Sequence, residues 1–118
     1  MREKRRFIRF DISVKVNYTT LKEPKTEKVG ITKNISAGGL HLSTEEKLET
    51  GTKLELKFII PEALNPAHLK GTVLWSKEAD DDKKPVYTSG IEFISIEEDN
   101  KNTFLKFLCD LMYQKVKH

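Results

Sequence analysis

The sequence predicts a mostly β domain, a six-stranded antiparallel β-barrel followed by a C-terminal α-helix. Three observations carry that expectation. Short segments alternate apolar and polar side chains with the period of two that a half-buried strand requires. Turn-forming or charged clusters separate these segments, and closing so many short strands on themselves removes exposed sheet edges. After Ser95 the apolar period lengthens to that of a helix.

In the first strand Ile12, Val14, Val16 and Tyr18 share one face, with Ser13, Lys15 and Asn17 opposite. Lys22 to Lys28, containing Pro24, reads as a polar turn. Val29, Ile31 and Ile35 then line one face, with Gly30, Thr32, Asn34 and Ser36 on the other. Ala37-Gly38-Gly39 turns the chain, and Leu40 and Leu42 resume the pattern. A polar break at Lys47 to Gly51 precedes Leu54, Leu56, Phe58 and Ile60, a run that Pro61 ends. Pro61 to Pro66 forms a loop, and His68 to Trp75 a fifth strand with Leu69, Val73 and Trp75 in phase as core. Asp80 to Pro85 is a charged hairpin loop before the sixth strand, with Tyr87, Ser89, Ile91 and Phe93 in phase.

Ser95-Ile96-Glu97-Glu98 fits a capping box, in which serine and glutamate satisfy orphan amides at a helix start. A helix from about Glu98 to Lys115 follows, because Phe104, Leu105, Leu108, Leu111 and Met112 recur at helical spacing. Phe107 and Val116 widen the stripe, and Cys109 reads as a small core residue. The stripe is expected to close a barrel end or flank. The whole reads as one domain over 1–118: a basic arm at 1–10, the barrel over 11–95 and the helix over 96–118.

Composition narrows the function. A chain of 118 residues suffices for one core, and no apolar run is long enough to span a membrane. The charged N-terminus is not a secretory leader, and the single cysteine cannot form an internal disulfide, so a cytoplasmic protein is expected. The net charge is +3, yet five of the first nine residues are basic (Arg2, Lys4, Arg5, Arg6, Arg9) against one acid, Glu3. A concentrated basic arm on a nearly neutral body suits a compact polyanion better than a long duplex.

Two motifs stand out. Arg5, Arg6 and Arg9 give an Arg-x-x-x-Arg spacing; Asn34, Ser36, Gly38 and Gly39 give Asn-x-Ser-x-x-Gly. Arginine donates bidentately to the O6/N7 edge of guanine, pairs with phosphate and stacks on bases. Asn34 and Ser36, two apart on a strand, are expected to share the outward face, where an amide and a hydroxyl both donate and accept. Gly38 and Gly39 let the backbone approach a base or phosphate closely. Each motif alone has a plainer reading, as a solvated tail or a self-bonded turn.

Together they resemble the paired ligand motifs of the PilZ domain family, over the full length of the chain. That resemblance implies a six-stranded barrel with a C-terminal helix and a receptor for cyclic di-GMP. It implies that Arg5, Arg9, Asn34 and Ser36 contact the nucleotide, with Gly39 as the backbone position and Arg6 as a further candidate. Gly90-Ile91-Glu92-Phe93 and Val73-Leu74-Trp75 also resemble strand segments of the family and read as core. On this reading the chain is a receptor or adaptor, not an enzyme. It has no cofactor, and it is a monomer or weak dimer that signals to a downstream protein. Residues 1–9 are expected to be mobile until ligand draws them onto the Asn34–Gly39 face.

Other classes find less support. His41, His68 and His118 are too dispersed for a zinc site, and Asp80-Asp81-Asp82 lacks the spacing of a calcium loop. His41 follows the glycine turn, opposite the Leu40/Leu42 face, and reads as a surface histidine, with a role at the ligand edge as the alternative. A barrel binding single-stranded nucleic acid would expose aromatics on its strands, whereas here they fall in phase with the core. A PilZ-like adaptor that binds no nucleotide would use the broad helix stripe as its contact surface.

Overall fold

Alternating side chains produce strands near the expected places in a computed structural model that describes residues 8–60, 65–79, 86–96, 104–111 and 113. The strands are β1 (Lys15–Thr20), β2 (Glu23–Ile35), β3 (Gly39–Thr44), β4 (Lys53–Phe58), β5 (Ala67–Ala79) and β6 (Val86–Ile96). They close into a barrel in the order β1-β2-β3-β6-β5-β4, every pairing antiparallel, with β1 against β4 completing the ring. Val16, Tyr18, Leu40, Leu42, Leu54, Leu56, Phe58, Leu69 and Val73 fill the interior, each almost wholly buried.

One end is sealed by a helix, α1 (104–111, continuing at 113). Phe104 seats its ring 5.2 Å from Phe58 and 5.5 Å from Phe93, in edge-to-face contacts that aromatic quadrupoles favour. Leu108, one turn further on, is buried with it. The helix therefore plugs the barrel, as its stripe suggested. The stripe is narrower than expected, since Leu105 and Cys109 are exposed.

Several boundaries differ from the sequence expectation. The first turn is only Leu21-Lys22, and β2 begins at Glu23, because pairing to β1 continues to Thr20↔Glu23. β6 runs to Ile96, so Ser95 pairs with Lys70 and is not a helix cap. The barrel therefore extends one residue past the expected boundary at 95. Leu48, inside an otherwise polar break, belongs to the core. Arg5, Arg6, the loops at 61–64 and 80–85, Glu97, Glu98, Met112, Lys115, Val116 and His118 lie outside the described residues.

The largest difference is in β2. The sequence placed Val29, Ile31 and Ile35 on one face, but Val29 and Ile31 are exposed while Ile35 is fully buried. A bulge between Thr32 and Asn34 inserts Lys33 and shifts the pairing with β3 by one residue. Because strand side chains alternate, one extra residue exchanges inward and outward positions beyond it. Before the bulge Gly30 and Thr32 point inward; after it Ile35 does, and Asn34 faces out.

At the other rim Tyr18 donates its hydroxyl to Glu46 at 2.8 Å, and Lys28 pairs with the same carboxylate at 2.9 Å. Burial, then the hydrogen bond and charge of Glu46, push the Tyr18 phenol well above its usual range. Burial alone would raise the Glu46 carboxyl, but hydrogen bonds from Lys28 and Tyr18 outweigh it and hold it below the usual carboxylate range.

Two predictions follow from this packing. Phe104→Ala should destabilise the domain by about 3–5 kcal/mol, whereas Leu105→Ala should cost roughly 0.5 kcal/mol or less, as read by urea unfolding. A phenol whose folded pKa is raised adds stability that is intact below the unfolded value of about 10 and declines as pH rises beyond it. Unfolding at pH 8 and pH 11 should therefore show an alkaline loss that Tyr18→Phe reduces.

Candidate functional site

The chain enters the barrel alongside β2. Phe10 and Ile35 exchange backbone hydrogen bonds of 2.8 and 2.9 Å. Thr32 clamps the same approach: its hydroxyl accepts from the Val14 amide at 2.8 Å and donates to the Ile12 carbonyl at 2.6 Å. These contacts bring Arg9 to the end of β2, where its guanidinium donates to the Asn34 side-chain oxygen at 2.7 Å. The two sequence motifs, 25 residues apart, thus meet in one hydrogen bond. Arg9 and Phe10 thus both make contacts to β2 with no ligand present.

Ser36 does not share the outward face of Asn34. It is buried, and its hydroxyl donates to the Gly39 carbonyl and accepts from the Gly38 amide, both at 3.2 Å. The Ser36 amide adds a 2.8 Å bond to the Gly39 carbonyl. Asn34 and Ser36 both follow the bulge, so strand alternation alone would keep them on one face; instead β2 ends at Ile35, and Ser36 opens the turn to β3, where its hydroxyl bonds to the turn's own backbone. Gly39 is needed for a close approach between strands: a Cβ there would strike the backbone carbonyl of Ile91. Gly38 accepts from the Phe93 amide at 2.9 Å, so the turn is tied to β6 on both sides.

A row of side chains extends outward from Asn34 across four strands. Asn34 of β2 stands opposite His41 of β3, His41 opposite Gly90 of β6, and Gly90 opposite Trp75 of β5. The Asn34 amide nitrogen lies 3.0 Å from His41 Nδ1. Gly90 makes room for the indole, since a Cβ there would collide with its Nε1 and Cε2. Trp75 reaches over that gap to meet the His41 ring edge-on, 5.0 Å between centroids, and Lys77 lies 5.7 Å from the indole centroid. The sequence assigned Trp75 and Gly90 to the core. A second bulge, between Val73 and Trp75, instead leaves Trp75 half-buried on the outer face. A tryptophan and a glycine on neighbouring strands were the available signal, but their register was not readable from spacing.

The outer row joins a forked cation, an amide, an imidazole and an indole, a set able to donate to and stack on a planar polar ligand. A separate recess of about 520 Å³ lies at the opposite rim, beside Leu21, Lys22, Glu46 and Leu48. Among the described residues no cluster of metal-ligating side chains is present, and no helix is long and apolar enough to cross a membrane.

Comparison with known proteins agrees with this architecture. The family model for the PilZ domain matches residues 3–109. The chain belongs to the PilZ domain family. Among solved structures, this PilZ domain is similar to the Bacillus subtilis inhibitor of motility MotI/DgrA, with a TM-score of 0.71 and 19% identity over 98% of this chain. It is also similar to the PilZ domain of Escherichia coli YcgR with c-di-GMP, with a TM-score of 0.70, 11% identity, and 98% and 96% of the two chains covered. MrkH of K. pneumonia in its apo state gives a TM-score of 0.76 at 18% identity over 99% of this chain. The chain spans 53% of MotI/DgrA and 54% of MrkH, about half of each. No curated protein matches by sequence.

The glycine assignments can be separated experimentally. Trp75 is the only tryptophan, so its fluorescence reports on the row alone. Gly90→Ala should displace the indole and shift its emission to the red in the folded protein. Gly39→Ala meets backbone instead, and should lower unfolding stability by about 1–3 kcal/mol with little change in native emission.

Proposed function

We propose that this PilZ domain is a cyclic di-GMP receptor that binds the dinucleotide without turning it over and passes the signal to a protein partner. The observation that carries this reading is the 2.7 Å bond between Arg9 and Asn34, which joins the arginine motif to the polar turn on the outside of the barrel. Membership of the PilZ family and similarity to a YcgR domain solved with c-di-GMP support it.

In this reading Arg9, with Arg5 and Arg6 from the preceding arm, reads guanine edges and phosphate through its fork. Asn34 adds an amide oriented by Arg9. Gly38 and Gly39 present backbone at the turn, and Ser36 contributes by fixing that turn. The half-buried Trp75 offers the aromatic surface of the row, on which a base can stack. The ligand-driven change falls on the arm before Ile8, because Arg9 and Phe10 are already tied to β2. Drawing in Arg5 and Arg6 would alter the surface offered to a downstream protein.

Calorimetric titration with cyclic di-GMP, with GTP and single-stranded DNA as controls, tests the reading. Selective heat is expected, with intact ligand recovered by chromatography. Arg9→Ala should weaken binding by roughly 10- to 150-fold, the cost of a hydrogen bond to a charged group. Arg9→Lys should recover little of it, since lysine lacks the fork. No heat at high micromolar ligand, or a linear product, would defeat the proposal.

A further inference from the structure

We propose that His41 is a positioning residue for the ligand site: its neutral imidazole accepts from Asn34 and so holds the Asn34 oxygen toward Arg9. This rests on the receptor reading above and extends it to a residue outside both motifs. The assignment follows from donor chemistry. A guanidinium only donates, so the Asn34 atom facing Arg9 at 2.7 Å must be the carbonyl oxygen. The amide nitrogen then faces His41 Nδ1 at 3.0 Å, and an amide nitrogen only donates. Nδ1 must therefore be the acceptor, with the ring proton on Nε2.

The relay has one consistent arrangement. Protonating His41 makes Nδ1 a donor that faces another donor. Flipping Asn34 would relieve that contact but turn its amide group onto the Arg9 guanidinium, again donor to donor. One of the two bonds is lost either way. Trp75, seated over Gly90, packs edge-on against the ring at 5.0 Å and restrains it from turning away. Among the described residues, the charged groups around it include Arg9 through Asn34, Lys77 over the Trp75 ring, and Glu92 on β6 opposite Gly39.

The sign of the pH dependence separates this role from simple attraction. Cyclic di-GMP is an anion, so a histidine acting only by charge would strengthen binding on protonation. A relay that needs neutral His41 predicts the reverse. The test is calorimetry with cyclic di-GMP at pH 7.5 and pH 5.5 on the parent, His41→Gln and His41→Phe. Parent affinity should fall about 3- to 10-fold on acidification, the range for one lost hydrogen bond. His41→Gln, whose side-chain oxygen accepts at either pH, should bind nearly as well as the parent at pH 7.5 and show no pH dependence. His41→Phe should be weaker at both values and equally flat. Parent affinity that is unchanged or rises on acidification would overturn the relay.

Ring-nitrogen NMR shifts of the protein with no ligand added give a second readout. An unprotonated Nδ1 with the proton on Nε2 is expected, and a protonated Nδ1 at pH 7.5 would refute the assignment. If the parent gives no heat with cyclic di-GMP, the receptor reading fails, while the ring-nitrogen measurement still decides the hydrogen-bond relay by itself.

Discussion

The bulge at Lys33 is the constraint on which the site depends. Without it β2 would keep a single alternation, and Ile35 would be expelled from the core that Thr32 and Gly30 already face. With it, Ile35 is buried and Asn34 is turned outward beside Arg9 and His41. A one-residue insertion is thus compatible with a packed interior only because burial of Ile35 and pairing with Phe10 hold the shifted register in place. β2 then ends at Ile35, and the buried Ser36 hydroxyl closes the turn that leads to β3.

The barrel and the arm are consequently coupled through backbone as well as side chains. Phe10 contributes a short bridge to β2, Thr32 satisfies both Ile12 and Val14, and Arg9 lies between these anchors and the outer row. At the helix end, Phe104 joins Phe58 and Phe93, with Phe93 bonded through its amide to Gly38 of the turn. The plug and the candidate site therefore share β6 as a common support, although they occupy different faces of the sheet.

The outer row shows how a closed barrel can gather polar and aromatic side chains on its outside without a deep cleft. Cross-strand neighbours in antiparallel sheets lie within side-chain reach, so Asn34, His41, Gly90 and Trp75 form a continuous strip from four separate strands. The glycine in the middle is what lets an indole from β5 meet an imidazole from β3 across β6.

Much of the architecture was legible in the sequence because the quantities that determine it are local. Alternation in Val14, Val16 and Tyr18, and in Leu54, Leu56 and Phe58, located strands whose burial followed directly. Helical spacing found Phe104 and Leu108, and the motif spacings singled out Arg9 and Asn34, which the fold brings into contact. The tertiary structure alone decided what depends on register between strands. Bulges at Lys33 and after Val73 reversed the facing of Ile31 relative to Ile35 and placed Trp75 beside His41, while the end of β2 at Ile35 put Ser36 into a turn bonded to its own backbone. A bulge leaves no composition signal of its own; it is selected by which side chains pack and which backbone groups find partners once all six strands have closed.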